Sequence, residues 1–328
     1  MTVIKHLAAI VAAAALATLT APAAAQNYPT RPITMVVAYA AGGPVDTLAR
    51  IFAQRLGEVL GQQVVIENIG GAGGMVGASR VAKAPPDGYN FLFGGLSNLA
   101  QNQTLYKQPL YNAATDFTPV GLVTDSPRVL IARKDIPANT LAEFIAYAKA
   151  NKDKSQYGSA GGGSGSHFCA LLLDGVIGSR ITHVPYRGAG PAMQDLIAGR
   201  LDYMAEQIST AVQQIDAGTV KGIAILGPDR VPVLPKLQSA KEAGLGEFDC
   251  GAWAALVLPL NTPDAIVRKL NKAAGETIDT PMVRERYAVL GVTVVPPQRR
   301  SPEYLAKYIP AEIEKWAGPI KASGVSGE

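Results

Sequence analysis

The sequence has 328 residues, enough for two domains at roughly 100–200 residues each. It carries 30 Lys+Arg against 26 Asp+Glu, a net charge of +4, and charged residues are only 17% of the chain, so no basic stripe points to nucleic acid. Three histidines (His6, His167, His183) and two cysteines (Cys169, Cys250) make no CxxC, HExxH or clustered ligand set, which argues against zinc, haem and iron–sulfur chemistry; neither metal nor cofactor is expected.

The chain opens as an export signal. Lys5 and His6 give a mildly positive start, Leu7 to Thr20 is an apolar run of 14 residues, and Ala23-Ala24-Ala25 is a small-residue cleavage site. The run is shorter than the ~20 residues that cross a bilayer, so a signal peptide over 1–25 is expected rather than an anchor. No later apolar run spans a membrane, and the mature chain is expected to be exported, not membrane-embedded, and monomeric. In an oxidising compartment Cys169 and Cys250 are able to pair, and the sequence leaves that open.

Strand-like and helix-like segments then alternate. Ile33–Ala40 reads as a strand, broken by Gly42-Gly43, and Pro44 suits the first turn of a helix carrying Val45, Leu48, Ala49, Phe52, Leu56 and Val59 at helical spacing. Gln63–Ile69 is a second strand, Met75–Ala84 a short helix and Tyr89–Gly94 a third strand, a βαβαβ series that predicts a parallel sheet with helices on both faces. The alternation restarts with a helix over Thr140–Asn151, where Thr140 and Glu143 fit a capping box. Strands at Gln156–Ala160, Thr182–Tyr186, Leu201–Ala205 and Val220–Leu226 alternate with helices at Ser166–Ile177, Pro191–Ala198 and Thr210–Ala217. One more strand, Ala252–Leu258, precedes helices at Pro263–Ile278, Pro281–Leu290 and Pro302–Ala322. The reading is α/β: two units and a helical C-terminal segment.

The two units share a feature. In each, a strand runs through a glycine-rich loop into a helix: Tyr39-Ala40-Ala41-Gly42-Gly43 in the first and Ser159-Ala160-Gly161-Gly162-Gly163-Ser164 in the second. Glycine lets a ligand approach the backbone, and the helix that follows offers unpaired N–H groups and a partial positive charge. Two such loops, one per unit, suit a small anion held in a cleft at the carboxyl ends of the strands. Other chemistries fit less well. There is no GxxxxGK[ST], and the glycines of Gly70–Gly77 miss the GxGxxG spacing of a dinucleotide site. Gly162-Gly163-Ser164-Gly165-Ser166 begins like a nucleophile elbow but ends in Ser, and His167 lies in the following helix, so an exported serine hydrolase using Ser164 stays a secondary reading.

Four segments carry a family likeness. YPTRPITMVVAYAAGGPVDTLAR (Tyr28–Arg50), ENIGGAGGMVGASRVAKAPPDGY (Glu67–Tyr89), HVPYRGAGPAMQDLIAGRLD (His183–Asp202) and KWAGPIKASG (Lys315–Gly324) resemble the Bug-type (TctC-like) receptors, the periplasmic solute-binding proteins of tripartite tricarboxylate transporters. The resemblance implies a two-domain type II periplasmic-binding-protein fold with a ligand cleft between the domains. Its expected division is residues 26–125 plus 250–328 in one domain and 126–249 in the other. It implies a small mono- or dicarboxylate ligand, delivery to membrane transporter subunits, and no catalysis. A ligand-sensing partner of a membrane signalling protein would share the same fold.

The expected ligand-binding residues follow from the loops and the strand ends. In the first unit they are Tyr39, Ala41, Gly42, Gly43, Asp46, Ser97 and Asn98; in the second, Ser159, Gly161, Ser164, His167, Tyr186, Arg187 and Gln207. Asp46, in a first helical turn, has a structural alternative in the helix dipole, and Ser97 and Asn98 in helix capping.

Overall fold

A computed structural model of the chain describes residues 28–246 and 248–322. The predicted signal peptide and its cleavage site lie outside the described residues.

The first βαβ series forms as its pattern requires. Strand β1 (Ile33–Val37) leads to α1 (Pro44–Leu60), β2 (Val64–Asn68), α2 (Met75–Ala82) and β3 (Asn90–Gly95). Pro44 occupies the first turn of α1, where its missing N–H costs nothing, and Leu48, Ala49, Phe52 and Leu56 are buried. Gly61 closes the helix in the left-handed region at φ 70°. Strands β1, β2 and β3 pair in parallel.

The remaining strands of this sheet correct the expectation of an all-parallel arrangement. β4 (Phe117–Ser126) and the short α3 (Asn102–Leu105) before it fall where no element was predicted, and β10 (Ala252–Pro259) runs antiparallel to both β3 and β4. With β11 (Thr293–Val294) at the edge, the order is β11-β4-β10-β3-β1-β2. The reason is topological. β10 enters the sheet on the chain's return from the second unit, not through a crossover helix, so nothing forces it to run parallel.

The second sheet has the order β7-β6-β8-β5-β9. Its strands are β5 (Arg128–Ala132), β6 (Gln156–Ser159), β7 (Thr182–Pro185), β8 (Tyr203–Gln207) and β9 (Lys221–Ile225). β6 pairs in parallel with β7 and β8, and β5 runs antiparallel to β8 and β9. The helices are α4 (Leu141–Ala150), α5 (Gly165–Ile177), α6 (Ala189–Ile197) and α7 (Ile208–Asp216). Thr140 caps α4 by accepting the Glu143 N–H at 3.2 Å, while the Glu143 carboxylate reaches back to the Asn139 N–H at 2.7 Å, one residue beyond a strict capping box. Cys169 in α5 and Cys250, just before β10, form a disulfide, which answers the question the sequence left open.

The C-terminal helices α8 (Asp264–Ile278), α9 (Pro281–Val289) and α10 (Pro302–Ala322) return to the first sheet. One apolar cluster joins Leu48 and Phe52 of α1 to Ala192 and Met193 of α6 and to Ile208 and Val212 of α7, so the units pack on each other beside the cleft. No helix among the described residues is long and apolar enough to cross a membrane.

Candidate functional site

The carboxyl ends of β1, β3, β6 and β8 point into the space between the sheets. A cavity of about 50 Å³ lies there, lined from both units. Tyr39, Gly43 and Ser97 line it from the first unit and Ser164 and Gln207 from the second, which brings together five residues expected from the sequence.

The other nine sit around the cavity, not on it. Ala41 and Gly42 are exposed at its mouth. The Asp46 carboxylate accepts from Gly42 N–H, Arg50 Nε and Asn68 Nδ2, each at 2.9 Å, so it braces the first loop. Burial works to raise its pKa, but these hydrogen bonds outweigh burial and hold it below the usual carboxylate value. Asn98 Oδ1 accepts the Gly95 N–H at 2.9 Å. The Ser159 hydroxyl faces His183 Nε2 at 2.6 Å, and the Gly161 N–H donates back to it at 3.1 Å. His167 Nδ1 accepts the Gly163 N–H at 3.2 Å. The Tyr186 hydroxyl donates to Asp195 at 2.6 Å, and the Arg187 side chain is exposed.

Ser164 is the N-cap of α5, accepting the His167 N–H at 3.3 Å, and its hydroxyl also lies 3.0 Å from that of Ser166. Its partners are thus a backbone amide and a second hydroxyl, which does not favour a hydrolase, because a nucleophilic serine needs a general base within reach of its hydroxyl. Among the described residues no group of three or more His, Cys, Asp and Glu is placed to hold a metal ion.

The most polar feature of the cavity lies in the segment where no strand was predicted. Arg128 opens β5; it is 5% exposed and lines the cavity. Among the described residues its guanidinium makes no hydrogen bond and no ion pair. An added Cβ at Gly165 would collide with it and lie 3.0 Å from Ser97 Oγ, so the guanidinium lies against the first turn of α5, where Ser97 also approaches. Burial lowers its pKa, partly offset by attraction to Glu206. Glu206, at the end of β8, is 1% exposed and also lines the cavity. Burial raises its pKa, against the hydrogen bond from Thr210 and the pull of Arg128. Thr124 and Ser126 complete the polar side, and Thr124 Oγ1, Ser126 Oγ and Glu206 Oε2 are buried without a hydrogen-bond partner. A buried cation and several unpaired polar atoms converging on one small space are what a ligand site requires, since each costs free energy until it is paired.

The cleft is shut by direct contacts between the units. Ala40 N–H donates to the Arg187 carbonyl at 3.2 Å, and the Tyr106 hydroxyl to the Gly162 carbonyl at 2.9 Å. Gly73 and Gly188 each lie where a Cβ would press on the opposite unit, on Gly162 O and on Ala40 respectively.

The family model of the tripartite tricarboxylate transporter family receptor matches residues 48–325. The chain belongs to this receptor family. A relative from Agrobacterium vitis, the UPF0065 protein in the TAR-I ttuE-ttuC' intergenic region, is 42% identical over 92% of this chain and 87% of its own. Among solved structures, the periplasmic binding protein BugD is 40% identical at a TM-score of 0.89, covering 92% of this chain and all of its own. MatC from Rhodopseudomonas palustris, solved with bound malate, is 41% identical at a TM-score of 0.86, covering 89% and 100%. BugD is a periplasmic binding protein, and the two-unit fold of this receptor is that of both solved structures.

Proposed function

We propose that this receptor works in the periplasm, closes on a small mono- or dicarboxylate between its two units and presents it to the membrane subunits of a tripartite tricarboxylate transporter. The observation that carries the reading is Arg128: a buried, unpaired guanidinium beside the N-terminal turn of α5, lining a cavity between two binding-protein lobes. A carboxylate there would accept from the guanidinium and from N–H groups at the helix terminus, in a dry site where both bonds are strong. The malate bound in MatC supports the same ligand class.

In this reading Arg128, Ser97, Ser164 and Gln207 contact the ligand, Tyr39 and Gly43 cover it, and the remaining expected residues shape the two loops. Residues 126–249 form the moving lobe, because the chain crosses between sheets only at Ser126–Arg128 and in the segment between β9 and β10. The leader over 1–25 is removed on export, and the mature receptor is a monomer.

The test is a thermal-shift panel of organic acids, with native mass spectrometry of freshly purified protein. A cognate carboxylate at one hundred times its Kd adds about 2.7 kcal/mol of stability and raises Tm accordingly. Arg128→Ala should abolish that shift. A panel without any shift and a protein without co-purified acid would overturn the proposal.

A further inference from the structure

Outside the cleft, the first unit carries a second concave feature. It is a groove of about 670 Å³ between the segment that follows α3 and one face of α10. Leu110, 49% exposed, and Ile313 give it an apolar floor. Its only charges are two carboxylates, Asp116 and Glu314, and neither enters an ion pair among the described residues. The chain as a whole is +4, so this acidity is local to the groove. Gln103 lines the groove as well: its Oε1 accepts the Ala113 N–H at 3.1 Å, and its Nε2 is buried without a partner. An occupant that shifts this wall and brings a carbonyl oxygen would pair that donor.

This chemistry fits a peptide segment that places a basic side chain beside an apolar one. It repels free acids, and it repels a bilayer surface of anionic headgroups.

Both walls of the groove lead to the second unit. The segment wall carries Tyr106, whose hydroxyl donates to the Gly162 carbonyl at 2.9 Å. Gly163 backs directly onto that wall, since a Cβ there would come within 2.8 Å of Leu105 and Tyr106. The helix wall carries Trp316, whose ring meets Phe168 of α5 edge-on with centroids 5.3 Å apart. A hydrogen bond of 2.9 Å has little slack, and a wall displaced by about 1 Å breaks it.

We propose that the groove docks a periplasmic segment of the transporter's membrane subunits, one with a lysine or arginine next to an apolar side chain, and that seating it loosens Tyr106 and Trp316 from the second unit and so releases the bound solute. The proposal rests on the transport reading above. It makes Leu110, Asp116 and Glu314 contacts to the partner and Tyr106 the link from groove to cleft.

Three measurements on the full mature receptor test it, using the organic acid that gives the largest thermal shift. Leu110→p-benzoylphenylalanine, illuminated in cells that make both receptor and transporter, should crosslink to a membrane subunit, identified by mass spectrometry. The same probe at Val289, exposed on α9 outside the groove, should not. Leu110→Asp and Glu314→Lys should each cut uptake of the acid tenfold or more, with affinity and Tm unchanged. Membrane subunits in proteoliposomes should speed release of the acid tenfold or more from the unaltered receptor and less than twofold from Leu110→Asp. The crosslink stands as a test by itself should either variant fold poorly. A crosslink only to other proteins, unaltered uptake in both variants, or a release rate indifferent to the membrane subunits would overturn the proposal and leave the transport reading standing. An unaltered receptor that binds no acid of the panel, or supports no uptake, would overturn both.

Discussion

His167 and His183 lie ring on ring, centroids 4.0 Å apart, beneath the second glycine loop. Burial lowers His167 to about 4, and burial followed by repulsion from His167 lowers His183 to about 3. The unfolded chain takes up both protons near pH 6.5, the folded chain only well below it. Stability from this pair is therefore complete above pH 6.5 and is lost as pH falls toward 4 and 3. Asp174, raised by burial to about 6, works in the opposite direction, so a variant comparison is needed to isolate the histidines. His183→Gln keeps a polar atom near Ser159 and should remove about 1–2 kcal/mol of acid-induced loss between pH 7 and pH 4, allowing for partial exposure of the ring. Urea midpoints at the two pH values measure it, and an unchanged difference would mean that the stack does not titrate with unfolding. The sequence placed His183 in an apolar strand and His167 next to a glycine loop. Their stacking was not legible, because it depends on how α5 lies over β7.

At the scale of elements, α5 joins the site to the interlobe crossing. Its first turn sits against Arg128, and Cys169, one turn further on, is bonded to Cys250 where the chain turns back to the first sheet. A link across 81 residues contributes about 4 kcal/mol in the chain-entropy account. Replacing both cysteines by alanine, or reducing the bond, should lower Tm by about 5–10 °C. A Tm unmoved by reductant would show that α5 is held by packing alone. The helices were legible because apolar spacing, Pro44, Thr140 and the glycine stops are local signals. β4 and β5 were missed because Pro119, Gly121 and Pro127 interrupt the apolar pattern, and with β5 went Arg128. A rereading of Val129–Ala132 as a short buried strand would have found them, with an arginine at its start.

For the molecule as a whole, glycines set how closely the lobes approach. Gly188, the residue before α6, has an extended backbone that any residue can adopt, yet a Cβ there would come within 2.9 Å of the Ala40 backbone nitrogen across the cleft. Gly188→Ala should hold the lobes apart by a few tenths of an ångström or more. The expected result is at least tenfold weaker ligand binding, with Tm in the absence of ligand changed by no more than about 2 °C, since Gly188 is buried at the contact between the lobes and a slight opening there relieves the clash without disturbing either core. Calorimetry and thermal unfolding separate the two effects, and wild-type affinity in the variant would show that closure does not need this contact.

The sequence by itself determined the α/β alternation, the two strand–loop–helix sites and the family, because each is written in local spacing and in short motifs. Five of its fourteen expected ligand residues, Tyr39, Gly43, Ser97, Ser164 and Gln207, line the cavity. Only the tertiary structure decided that Arg128 and Glu206 face the same cavity, that β10 returns antiparallel, and that the two cysteines meet. The physical reason is the same in each case. Burial, strand direction and the meeting of side chains across two sheets depend on non-local packing, and a charge acquires its meaning only when its neighbours and its distance from water are known.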